Sequence, residues 1–224
     1  MNELRLIRDQ KIIEFKYDQN FKKDDFYIAS SNQHIFKLIN DWPKWEKNFL
    51  NIIGAKYSGK THLINIFLKR FKGIKFEASL LNNDNLKKIK FYQNIVLENL
   101  TKDIDEKLIY TLLNIIDQDN KYLIVTSNIP IVEINFDLSD LKSRTNNFLL
   151  QSIKKPDDDL LFALILKNLS DRQISLEKKL INYIIKRIDR SYGKIFDFIY
   201  KIDEMSLKKK KSIDLKIIKE VLGE

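Results

Sequence analysis

The chain has 224 residues, enough for one large domain or two small ones, and at 44% hydrophobic it can bury a core. It carries 40 Lys and Arg against 31 Asp and Glu, a net charge of +9 that could meet a polyanion but is spread along the whole chain. With no cysteine and two histidines it excludes a disulfide framework, a thiolate nucleophile and a Cys metal site, and leaves little for a His metal cluster or a Ser-His-Asp hydrolase.

Residues 1–25 are polar and irregular, and the first nine are too charged for a signal peptide. No apolar run approaches the length of a membrane span, so the expected compartment is the cytoplasm, with no membrane partner. Trp42-Pro43 marks a break. Residues 48–53 form a short apolar run of the kind a buried parallel strand shows.

Gly54-Ala55-Lys56-Tyr57-Ser58-Gly59-Lys60-Thr61 follows and matches the phosphate-binding P-loop pattern, G-x-x-x-x-G-K-[ST]. The two glycines let the backbone turn its N–H groups onto phosphate oxygens. Lys60 can reach the β- and γ-phosphates, and the Thr61 hydroxyl can hold Mg²⁺. Residues 62–71 read as a helix with an apolar stripe, its positive N-terminus aimed at the same anion, and Gly73 as its stop. A chance match in a Lys-rich chain is the alternative, and the strand–loop–helix context argues against it.

Residues 74–78 suit a second strand, and Asn82-Asn83-Asp84-Asn85 a turn-rich loop. Residues 94–98 suit a third strand with an acid, Glu98, at its end. Residues 105–116 read as a helix, and residues 121–127 as a fourth strand stopped by Asn128-Ile129-Pro130. Strands alternating with helices imply an α/β fold with a parallel sheet covered on both faces. Beyond Pro156 only helical periodicity remains, over residues 157–169, 176–188, 194–205 and 214–222, with Asp157 and Asp158 in the first turn and Ser175 as an N-cap. This predicts a small all-α domain joined near Lys154-Lys155-Pro156. The one tight basic run, Lys208 to Lys211, reads as an exposed solubilising loop, with weak DNA contact as the alternative.

Phosphoryl chemistry on a P-loop needs an acid at a strand end, a group that positions water, and positive charge for the transition state. Glu98 is the candidate metal-side acid; a surface Glu at a strand end is the other reading. Asn128 either reaches the γ-phosphate or a water, or merely forms the turn before Pro130. Arg144 can act as a finger on a neighbour's nucleotide, although spacing alone allows a plain surface arginine.

Residues 25–222 resemble the AAA+ module of the bacterial replication-initiator family (DnaA), and above all its short regulator type, Hda. Asp25 to Asn32 is similar to the family's adenine-side segment. Gly54 to Leu63 matches its Gly-Lys-Thr-His-Leu phosphate loop, 95–100 its Walker B strand, 123–130 its sensor-1 strand, 140–144 the box carrying its arginine finger, and 212–222 the regulator's last helix. The resemblance implies a three-layer P-loop AAA+ core over 26–154 and a helical lid over 155–224. It implies ADP or ATP with Mg²⁺, held by Gly54, Ser58, Gly59, Lys60, Thr61, His62, Asn128 and Lys194, with Thr61 and Glu98 on the metal.

Three departures bear on activity. The family's Walker B acids become Glu98 and Asn99, its sensor-2 arginine falls at Gly193 beside Lys194, and the chain ends after the lid helices. Weak or no intrinsic ATPase activity and no sequence-specific DNA binding are therefore expected. Regulators of this type dock on the DNA polymerase sliding clamp through a Gln-led peptide. Gln10-Lys11-Ile12-Ile13-Glu14-Phe15 is similar, with Gln10, Ile13 and Phe15 as anchors, and an ordinary strand or tail is the alternative. The resemblance thus implies a regulator that presents Arg144 to initiator-bound ATP, with self-association left open. A self-contained ATPase or loader, and a nucleotide-gated binding protein without hydrolysis, are the alternatives.

Overall fold

The computed structural model describes residues 26–224, so the Gln10–Phe15 peptide lies outside the described residues. Five parallel strands form one sheet: β1 (Phe49–Ile53), β2 (Ile74–Glu77), β3 (Asn94–Leu100), β4 (Tyr122–Ser127) and β5 (Leu149–Ser152). Their order is β2-β3-β4-β1-β5. All five residues of β1 are buried, which is why it reads as a continuous apolar run.

Alternation divides the strand residues between two cores. Phe49, Ile95, Leu97, Leu123 and Val125 face one side, where α3 (Asn83–Ile89), α4 (Glu106–Gln118) and α5 (Ser139–Thr145) cover them. Leu50, Ile52, Val96 and Ile124 face the other, under α1 (Gln33–Asn40) and α2 (Lys60–Phe71). The chain therefore leaves β1 over one face and β4 over the other, which opens a crevice at the carboxyl ends of these two strands. A third core, built on Leu161, Ile165, Ile184, Ile199 and Ile218, lies among α6 (Asp158–Asp171), α7 (Lys178–Ile185), α8 (Tyr192–Lys209) and α9 (Leu215–Leu222). The fold is an α/β P-loop core with a helical lid. No helix among the described residues is long and apolar enough to cross a membrane.

Several local expectations change. The Asn82–Asn85 loop is the start of α3: Asn82 caps it and accepts from Asn85 N, while the Asn85 side chain accepts from Asn82 N. Asn favours turns and caps for the same reason, its short acceptor, so composition alone does not separate them. Helix α1 and the short edge strand β5 were not read from the sequence. Helix α7 starts after Glu177, so Ser175 is not its cap. Lys208 and Lys209 belong to the last turn of α8, where they pair with Glu204 and Glu220 rather than forming a free basic loop.

Helix α2 also stops differently. The positive φ falls on Lys72, at 48°, and Gly73 is needed for space: a Cβ there would lie 2.5 Å from the Asn94 carbonyl oxygen. Gly73→Ala is expected to cost about 1–3 kcal/mol, as other overpacking changes do, read as a lowered denaturation midpoint.

Candidate nucleotide site

The loop between β1 and α2 forms the floor of the site. Gly59 has φ +93°, so this position needs glycine, while a Cβ on Gly54 would meet Ser58 Oγ at 2.5 Å and force that side chain to turn away. The Ser58 hydroxyl is buried without a hydrogen-bond partner. Lys60 is buried and donates to the carbonyls of Gly54 and Ala55 and to Asn128 Oδ1 at 3.3 Å. Burial pushes its pKa down, and the nearby Glu98 carboxylate pulls it back up. The ammonium is thus held over the loop by neutral acceptors, ready to exchange them for an anion. Thr61 and His62 open α2, and the His62 ring meets Phe26 edge-on at 5.2 Å.

Asn128 is placed by a residue the sequence reading passed over. Asn51 is fully buried in β1; it donates to Val125 O and Ser127 Oγ and accepts from Ile131 N. Every polar group of this Asn is used to pin both flanks of the Asn128 turn. Asn51→Ala leaves buried backbone groups unpaired and should cost about 1–3 kcal/mol. Denaturant unfolding measures that loss. The signal was one polar residue inside an apolar run.

Glu98 and Asn99 sit where the β3–β4 ladder slips, between Leu97 and Leu100, and Asn99 has φ +58°. Asn99 donates its backbone N–H to Thr126 Oγ1 and its amide to Glu77 Oε1, so it is turned toward the edge strand. The Glu98 side chain is 7% exposed. Its Oε2 is 2.9 Å from Lys75 Nζ, while its Oε1 is buried with no hydrogen-bond partner.

The lid meets the loop through aromatic rings. Tyr57, at φ +68°, stacks on Phe196 of α8 with centroids 4.4 Å apart and planes 9° from parallel. Arg172 lies over the other ring at 5.8 Å. A stack of this kind is worth about 0.5–1.5 kcal/mol, and a double-mutant cycle on Tyr57→Ala and Phe196→Ala should return a coupling in that range. A second strap ties the segment before α1 to the lid: Ser30 Oγ donates to Asp157 Oδ2 at 2.7 Å. That hydroxyl, with the Leu160 N–H, holds the Asp157 carboxyl below its usual pKa. Lys194 is exposed on the first turn of α8, and the space beside Gly193 is open.

The structure therefore gathers Gly54, Ser58, Gly59, Lys60, Thr61, His62, Glu98 and Asn128 at the carboxyl edge of the sheet. Arg144 is not among them. It lies in the last turn of α5, at the amino edge, where its Nη1 is 2.6 Å from Asp117 Oδ2 and its guanidinium lies 5.3 Å from the Tyr110 ring.

Comparison with known proteins adds the family context. Residues 157–222 match the family model described as "Hda, lid domain". The DnaA initiator of a Thermoanaerobacter species is 24% identical over 227 residues, covering 90% of this chain and 51% of its own length. The chain thus spans about half the length of the curated initiators it matches. Domain III of Thermotoga maritima DnaA superposes with a TM-score of 0.72 at 16% identity, over 93% of this chain and 98% of that one. AMPPCP-bound DnaA from Aquifex aeolicus superposes with a TM-score of 0.62 at 18% identity, over 84% of this chain and 68% of that one. At these identities the superpositions establish the fold.

Proposed function

We propose that this chain, a DnaA-related AAA+ protein with a lid of the Hda type, regulates replication initiation by promoting hydrolysis of ATP held by an initiator. Its α/β domain, over 26–154, and lid, over 155–224, would hold ADP or ATP. The observation that carries this reading is the position of Arg144. It stands at the opposite edge of the sheet from Lys60, in the last turn of α5, which supports a role on a neighbour's phosphates rather than on its own.

Its pairing with Asp117 is no obstacle. The two side chains are 31% and 44% exposed, and exposed pairs contribute about 0–1 kcal/mol. The triphosphate of a bound ATP offers more negative charge than one carboxylate and a planar bidentate match to guanidinium. As water adds to the γ-phosphorus and the bond to the bridging oxygen breaks, Arg144 would stabilise charge on the transferring group, leaving ADP on the partner.

In the chain's own site, Lys60 and the loop N–H groups would grip phosphate, with His62, Asn128 and Lys194 around it. A bare, buried carboxylate oxygen suits a hard cation, so the residues present fit Mg²⁺, with Glu98 and Thr61 as its holders. When bound, Mg²⁺ would neutralise phosphate charge. Asn99, turned onto Glu77, offers no base to activate water, which supports holding over turnover.

The cytoplasm and docking on the sliding clamp through Gln10, Ile13 and Phe15 belong to the same proposal, which leaves self-association open. To test it, ATP hydrolysis by the initiator is measured with DNA-loaded clamp, with and without this chain. Stimulation is expected; an unchanged rate overturns the reading. The bare Glu98 oxygen favours a second reading, an autonomous ATPase. Turnover without initiator that collapses in Lys60→Ala would establish it.

A further inference from the structure

The metal-side acid of this site already has a cation. Lys75 lies on the edge strand β2, one strand from Glu98, and the parallel register sets Lys75 beside Val96 and Glu77 beside Glu98. Its Nζ is 2.9 Å from Glu98 Oε2 and donates to Asn65 Oδ1 of α2 at 3.1 Å. Two elements therefore hold one ammonium against one carboxylate. Lys60, the other cation near Glu98, is engaged with the carbonyls of Gly54 and Ala55 and with Asn128.

The geometry points to Lys75 as a resident counter-cation that lets this site take a nucleoside diphosphate free of divalent metal. The inference rests on the nucleotide site proposed above and sets its ligand form. A buried carboxylate near the phosphate-binding loop repels an incoming diphosphate unless something neutralises it. In most P-loop sites a divalent cation does so. Here Lys75 takes one of the two carboxylate oxygens, so the repulsion is already reduced before any metal arrives. The metal can still add to Oε1, but little affinity should depend on it. Lys75 touches Glu98 and not the ligand, so it is a positioning residue.

The test is ADP binding to the full chain by titration calorimetry, in excess MgCl₂ and in excess EDTA. For the parent chain the two dissociation constants should agree within about threefold. Lys75→Met should lose about tenfold in EDTA and recover with Mg²⁺, since the uncovered carboxylate then needs the metal. Lys75→Arg, which keeps the charge, should follow the parent. The double variant Lys75→Met/Glu98→Gln removes both charges and should again bind ADP without metal.

A merely structural Lys75 would shift both conditions together. A parent chain that loses tenfold or more in EDTA overturns the inference, as does Lys75→Met with no metal dependence. Where Lys75→Met fails to fold, metal-dependent binding by either of the other two variants overturns it. Absence of ADP binding by the parent chain in both conditions overturns the nucleotide site itself, and that result precedes any variant.

Discussion

Lys60→Ala should weaken ADP binding by at least about a hundredfold. The Lys60 ammonium is buried, and its present partners are two backbone carbonyls and an amide oxygen. Exchanging these for phosphate oxygens converts neutral-acceptor bonds into charge-paired ones, each worth about 1.5–3 kcal/mol. Two such bonds account for the factor. Ala55 is exposed and its carbonyl can turn to water, but Gly54 is buried, so the variant also leaves a buried acceptor unpaired and should lose about 1–3 kcal/mol of stability. Titration calorimetry reads the affinity and thermal unfolding checks the fold. Parent-like affinity in a folded Lys60→Ala protein would remove the P-loop from the account.

Arg144→Ala is expected to abolish stimulation of the initiator's ATP hydrolysis, a loss of about 10³ or more in rate, the usual scale for an arginine supplied in trans. Lys should not substitute, because a point charge lacks the planar fork that meets two phosphate oxygens. The chain's own ADP affinity, set at the far edge of the sheet, is the control for folding. Asp117→Ala separates position from charge: it frees the guanidinium from its carboxylate and should leave stimulation intact or raised. Equal stimulation by the parent and Arg144→Ala would sink the finger role.

What could be read from the chain was local. The P-loop is eight adjacent residues whose glycines answer a backbone requirement, and β1, β3 and β4 are buried on both faces, so they announce themselves as apolar runs. The lid helices carried a clear 3.6-residue period. Strand β5, four residues on an edge with alternate residues exposed, gave too short a pattern. Helix α1 was hidden by its polar start, Gln33-His34. Asn82 looked like a turn because a cap and a turn use the same side-chain acceptor.

The site divides in the same way. Lys60 could be named from the P-loop pattern, and Glu98 and Asn128 because they end strands, whose carboxyl ends converge at one edge of an α/β sheet. The pairings that decide how these residues and Arg144 are held could not. Lys75 meets Glu98 across two strands, Tyr57 meets Phe196 across the loop and lid, and Arg144 meets Asp117 across two helices. These pairs carry no spacing signal. The phosphate loop and the α/β-then-helical plan follow from local backbone geometry and hydrophobic period, which depend only on neighbouring residues. The cation on the acid, the ring over the loop and the edge to which the arginine points depend on charges and rings brought together by packing, so the tertiary structure alone decided them.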